Sequence, residues 1–248
     1  MTDLLALGLG TWLFCACAIF IGTVVQRLAG QGLGMIATPM VALVAPQFLP
    51  AGILLMGLVV GLSAASVDRS AVARHELPAG FLGRGLGAVV AAWLAVLLVD
   101  TGGFAILIAL MVYLAVVLSL LGVRVEIRPV SLFLAGLTGG IMGTLTAVGA
   151  PPMALLYQHE EAKRSAAMQN TFFSFGMVVS LASLGIAGLI GWRHLVFAAS
   201  VLPVLVAGLL VANPLAKRSA KAKIRPVALT LATIAATVLL YKQIFLVG

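Results

Sequence analysis

Two hydrophobic stretches of this chain are interrupted by residues that a lipid-facing helix has little use for. The first reads GQGLGMIATPM from Gly30 to Met40, the second GTLTAVGAPPM from Gly143 to Met153. Aligned without a gap, Gly30 falls on Gly143, Pro39 on Pro152 and Met40 on Met153. The chemistry such breaks offer belongs to the backbone. Clustered Gly lets main chains approach closely, and Pro removes a donor and ends a helix. A helix N-terminus exposed in this way presents unpaired N–H groups and the positive end of a dipole. It can hold an anion without a buried Arg. Carbonyls freed inside a bilayer must face protein or a wet cavity. Gly/Pro-broken segments at corresponding places in two halves of a membrane chain point to a transport site.

The candidate binding residues in the first break are Gly30, Gln31, Gly32, Gly34, Thr38 and Pro39. Those in the second are Gly143, Thr144, Thr146, Gly149, Pro151 and Pro152, with Asn170 downstream. Each glycine has a competing use in plain helix packing through small residues. The Thr hydroxyls either donate to an oxyanion or return a bond to their own helix. Asn170 either lines an inner vestibule or bonds across helices. Tyr157 reads as an interface anchor or a pore-lining donor. Arg84 stands near the start of a span, where snorkelling to the cytoplasmic surface explains it without a functional role.

Absences narrow the chemistry. No Asp, Glu, Lys or His falls near the middle of an expected span, so no buried carboxylate relay is evident. Asp100 falls in an external turn, and Asp68, Glu76, Glu160 and Glu161 fall in cytoplasmic loops. There is no Walker A run, no HExxH and no nucleophile triad. No cofactor, metal or enzyme activity is therefore expected. Cys15 and Cys17 have no His, Asp or further Cys near them and read as small packing residues.

The elements that must carry these breaks are membrane spans. The 248 residues are 62% hydrophobic and only 9% charged, against about 25% charged in soluble domains. The net charge of +8 is spread over short loops, as orientation signals are, and is not gathered into a nucleic-acid surface. The start, MTDLLALGLGTWLF, lacks the basic region of a cleaved signal. Apolar segments run over about 4–26, 30–46, 48–66, 79–99, 101–121, 129–147, 149–158, 165–190, 193–212 and 225–245. If all change sides and the N-terminus is outside, only Arg193 and Lys242 of the 15 Lys and Arg residues lie outside. If the two short segments fold back, the basic residues divide almost evenly, against the positive-inside rule. The expectation is an all-α, polytopic transmembrane bundle of one domain, 1–248. Its five-pass halves, 1–122 and 123–248, form an inverted duplication, with broken helices in each half.

At the breaks the chain resembles the sulfite exporter TauE/SafE family of bacterial and plant membrane permeases. The resemblance rests on Gly30-Gln31-Gly32-Leu33-Gly34 with Pro39, on Gly136-Leu137-Thr138-Gly139-Gly140, and on Gly143 with Gly149-Ala150-Pro151-Pro152. Ala150 stands where the family often has a second Gly, and Pro152 is an added proline. The resemblance implies a secondary permease in the cytoplasmic (inner) membrane for a small anion, such as a sulfur oxyanion or an organosulfonate. A coupling proton or sodium ion is left open, since no residue selects one. The competing readings are a passive anion channel, a carrier of a non-sulfur organic acid, a membrane enzyme or sensor, and a scaffold subunit. Expected partners are the anion and membrane lipid, not nucleic acid. If the hydroxyls line the site, Thr144→Val and Thr146→Val weaken substrate affinity with little loss of folded protein. Flux assays on both variants check this, and unchanged flux would leave recognition to the backbone.

Overall fold

The structure is a computed structural model and describes residues 8–29, 32–65, 71–98, 103–121, 123–216 and 221–247. Among them the chain forms ten α-helices and no strand. These are α1 (Leu9–Ala29), α2 (Leu33–Val44), α3 (Ala51–Ala65), α4 (Leu77–Leu98) and α5 (Gly103–Leu120). Then follow α6 (Pro129–Thr146), α7 (Pro151–Tyr157), α8 (Ala162–Ile186), α9 (Trp192–Ala216) and α10 (Lys221–Lys242). Six of the helices among the described residues are long and apolar enough to cross a membrane: α1, α4, α5, α6, α8 and α9. The apolar parts of α2, α3 and α10 are shorter, and α7 has only seven residues. The chain is thus an all-α, multi-span bundle. Trp93, Val117, Leu134 and Leu210 point outward. Lipid is as apolar as the protein interior, so such residues cost nothing on that surface.

With no hydrophobic force to drive helices together in lipid, close packing must hold them. The tightest pair is α4 against α6. A Cβ added at Gly87 would meet the Leu137 carbonyl and stand 3.0 Å from the Cα of Gly140. One added at Gly140 would lie 2.6 Å from the Arg84 carbonyl. Gly83 and Gly136 seat against backbone in the same way, whereas a Cβ at Gly80 would meet the Phe172 ring. These glycines let the two main chains touch along several turns.

The remaining packing repeats in a regular way. α1 packs on α2 and α9, and α6 packs on α7 and α4. α2 packs on α10, and α7 on α5. α3 packs on α9, and α8 on α4, while α3 meets α8 and α5 meets α10. Polar contacts sort the helix ends. Arg27 Nε donates to Asn213 Oδ1 at 2.9 Å, joining the ends of α1 and α9. Lys242 Nζ donates to the Leu43 carbonyl at 2.7 Å, a cation on the last turn of α2.

Both short helices begin part-way along the helix before them. A Cβ at Gly22 would lie 3.1 Å from the Cα of Leu33, although α1 continues to Ala29. Gly149 doubles back beside Gly139 and Gly143, although α6 continues to Thr146. α2 and α7 therefore start about 10 Å inside the ends of α1 and α6, at a rise of about 1.5 Å per residue. The ungapped alignment sets Leu33, the first residue of α2, against Thr146, the last of α6, and not against Pro151, the first of α7. Pro39 lies inside α2 and does not end it. Pro151 and Pro152 occupy the first turn of α7, where a missing N–H costs no helix bond.

Gly87→Val and Gly140→Val should each lower the melting temperature strongly. Overpacking costs about 1–3 kcal/mol or more when the obstacle is backbone. Gly85→Val, with nothing within 4 Å of its Cβ, should be close to neutral. Equal effects at all three positions would show that the α4–α6 contact is not what these glycines serve.

Candidate functional site

The two breaks meet. Gly34, in the first turn of α2, lies so close to the Ala147 carbonyl that a methyl group there would overlap it. Ala147 closes α6 in the left-handed conformation, φ 60°, with its N–H bonded to the Gly143 carbonyl at 2.8 Å. A non-glycine residue in that region is a strained end that its surroundings must enforce. On the other side Gly32, at φ 155°, starts α2 and accepts the Ile36 N–H at 2.9 Å. The Gln26 side chain reaches across from α1 and accepts the Leu33 N–H at 3.2 Å. Between the breaks lies a cavity lined by Gln26, Gly32, Gly34 and Met35 from one side and by Ala147 to Pro151 from the other, with Phe173. Its free volume is about 10 Å³, room for about one water.

A second cavity of about 10 Å³ adjoins it and shares Gly149, Ala150 and Phe173. Its walls are Ala135, Met153 and Phe172, with Gln169 and Arg84 as its polar side chains. Arg84 does not snorkel. It is 4% exposed, its Nη1 donates to the Gly139 carbonyl, and the guanidinium is packed among Gly139, Gly143, Gly149 and Gly176. Snorkelling needs a face open to lipid or water. Here the faces of α4 beside Arg84 are taken by α6 and α8. Among the described residues Nε and Nη2 have no hydrogen-bond partner, and none of the ion pairs involves Arg84. Sequence reasoning missed this residue. The available signal was its setting, a lone charge in GFLGRGLG, where Gly80, Gly83 and Gly87 mark a face closed by another helix.

The other expected site residues divide into groups. Gly30 and Gln31 lie outside the described residues. Gly32, Gly34, Gly149 and Pro151 line the cavity between the breaks, and Gly143 and Gly149 cradle Arg84. The Thr144 hydroxyl is 2.6 Å from Ser180 Oγ, and Thr146 returns its bond to the Met142 carbonyl at 2.7 Å. Thr38 is fully buried in α2, and among the described residues its hydroxyl has no partner. Pro39, Pro152 and Asn170 are buried, but none lines either cavity.

A polar cluster lies where α4, α7 and α8 come together. Glu76, expected as a loop carboxylate, is 7% exposed. The Tyr157 hydroxyl donates to it at 2.7 Å, and Arg164 Nη2 pairs with its other oxygen. Arg164 Nη1 also meets Glu160 at 3.0 Å. This cluster forms one wall of a basin of about 600 Å³, with Arg124, Glu126 and His159. Leu132, Met153, Leu156, Met168 and Phe172 belong to one packed cluster, in which Leu156 lines the basin and Met153 and Phe172 line the cavity with Arg84. Among the described residues no three His, Cys, Asp or Glu side chains gather to hold a metal.

A family model described as Sulfite exporter TauE/SafE matches residues 14–239. No curated protein and no solved structure matched the chain. The chain belongs to the TauE/SafE family, and it is a multi-pass membrane transporter of that family.

Glu76→Gln should lower stability by about 1.5–3 kcal/mol, since it removes charge-assisted bonds from a buried carboxylate. Glu126→Gln breaks an exposed pair with Arg128, which is worth about 0–1 kcal/mol. Thermal melts of both variants test this. Equal shifts would deny the Glu76 cluster a role in joining α4, α7 and α8.

Proposed function

We propose that this protein is a secondary permease that moves a small anion across the cytoplasmic membrane by alternating access. The substrate class is a sulfur oxyanion or an organosulfonate. One observation carries the reading: the two Gly-rich breaks, distant in sequence, abut at Gly34 and Ala147 inside the bundle. Backbone that leaves helical geometry at membrane depth is tolerated where it lines a site. Gly32, Gly34, Gly149 and Pro151 would form the site, with Gly143 bordering Arg84. The family description, sulfite exporter, supports the substrate class.

An inverted duplication of five helices with five is part of the proposal. Its support is the packing pattern, in which exchanging α1–α5 for α6–α10 carries most neighbour pairs into one another. An odd number of passes per half inverts the second half, and rocking of such halves about a central site gives alternating access. With the N-terminus outside, Glu76, Tyr157 and Arg164 would face the cytoplasm, and Leu43 and Lys242 the exterior. A volume of about 10 Å³ in each inner cavity suits an occluded carrier better than an open passive channel. Thr38 and Asn170 would join the site in another conformation, because neither lines the two inner cavities in this one. The coupling partner is a proton or a sodium ion.

Uptake of radiolabelled sulfite and of a sulfonate into liposomes carrying the pure protein tests this. Saturable flux, with counterflow of label and a response to an imposed pH or sodium gradient, is the expected result. Non-saturable flux without counterflow would favour a channel. No flux of either compound by folded protein would exclude the proposed substrates.

A further inference from the structure

A charge buried at membrane depth is expensive and survives where something pairs with it. Arg84 is such a charge with no acidic partner among the described residues. Its α-carbon stands seven residues into α4, about 10 Å along the helix axis. Its guanidinium reaches Gly139, which is ten residues into α6. One edge of the group is tethered, through Nη1, to the Gly139 carbonyl. The other edge consists of Nε and Nη2, the two atoms that lack partners. Their N–H groups point the same way in the planar guanidinium. They form the fork that accepts two oxygens of one carboxylate, sulfonate or phosphate. The cavity that Arg84 lines has no acid among its described residues, where the other polar side chain is Gln169.

We propose that the Nε/Nη2 edge of Arg84 is the anion-binding fork of the transport site, and that its class of ligand is a singly charged oxyanion. This rests on the transport reading and names the group that carries it. One guanidinium neutralises one charge, and the walls formed by Ala135, Met153, Phe172 and Phe173 offer nothing to a second. A dianion such as sulfate would bring an unpaired charge into a dry site, a penalty that a monoanion avoids. Gly176 covers the fork in this conformation: a Cβ built on it would overlap Nε, Nη2 and Cζ. α8 must therefore draw back from α4 before an oxyanion can dock. Occupancy of the fork and the position of α8 are linked by simple exclusion.

The test uses the full-length protein in liposomes, with counterflow of labelled methanesulfonate and unlabelled methanesulfonate or sulfate as competitor. Melting temperatures are measured in detergent without ligand. Wild type is expected to be inhibited by methanesulfonate at concentrations at least about tenfold below those of sulfate. Arg84→Gln should abolish counterflow while its ligand-free melting temperature holds or rises, because an uncompensated buried charge has been removed. Arg84→Lys keeps the charge and loses the fork, so its flux should fall by at least about tenfold, the equivalent of one lost charge-assisted bond. Three results would overturn the proposal. Counterflow in folded Arg84→Gln within about threefold of wild type removes the fork from binding. Full activity and stability in Arg84→Lys, with a fall of both in Arg84→Gln, makes Arg84 a structural pin. Sulfate competing as well as methanesulfonate removes the single-charge class. Wild type that moves neither methanesulfonate nor sulfite overturns the transport reading and this proposal together, whereas the first three results leave transport standing.

Discussion

A polar backbone group freed inside a bilayer has no water to turn to. Two helices of this chain stop short of the membrane thickness, and each leaves amides and carbonyls at depth. The structure settles this cost by bringing the loose ends to one another and to nearby side chains. Gln26 takes the Leu33 N–H, Gly143 takes the Ala147 N–H, and Gly34 seats against the Ala147 carbonyl. Much of the architecture serves that meeting. α1 and α6 must run past the starts of α2 and α7, and the two hairpins must come together within the bundle. Glycine is required at position 34 because the approach of the other break leaves no room for a methyl group.

Close approach also explains how a guanidinium comes to be buried. The α4–α6 contact is nearly backbone to backbone, so a long side chain on that face has no path to either surface. Arg84 is enclosed because Gly83 and Gly87 bring α6 against α4, and Gly176 brings α8 over what remains. Beside Arg84 they also remove water, which strengthens any electrostatic interaction the guanidinium makes. Packing and polarity thus act through the same glycines at the same place.

The spans were legible in the sequence because lipid imposes a length and a composition on each one. The ends of α4, α5 and α6 fall within two residues of the segments at 79–99, 101–121 and 129–147. The existence of two breaks was legible too, since Gly and Pro in apolar runs are conspicuous. Their register was not. Matching Pro39 to Pro152 follows residue identity, but Pro39 is carried inside a helix and Pro152 lies at a helix start. Identity of residue type does not encode position along a helix axis. Arg84 and Glu76 were misread for a related reason. Whether a charge near a helix end reaches water depends on which helix covers its face, and that is a long-range contact. Thr144 and Thr146 look alike in sequence, yet one bonds across to α8 and the other to its own helix.

The two buried charges share a mechanical connection. Glu76 immediately precedes α4, and Arg84 lies two turns into it. α8 touches α4 at both levels: Arg164, in its first turn, pairs with Glu76, and Gly176, about three turns further along, covers the guanidinium. α8 is therefore held to α4 by an ion pair near one end and by close packing deeper in the bundle. The Glu76 contact also takes in Tyr157, the last residue of α7, so one carboxylate ties the broken helix to both of its neighbours. A rigid helix cannot withdraw from Arg84 without loading the Glu76 cluster, since both contacts lie on the same pair of helices. An interface made of a few discrete bonds and a close-packed seam holds or releases; it does not stretch. That property suits a wall standing beside a buried guanidinium.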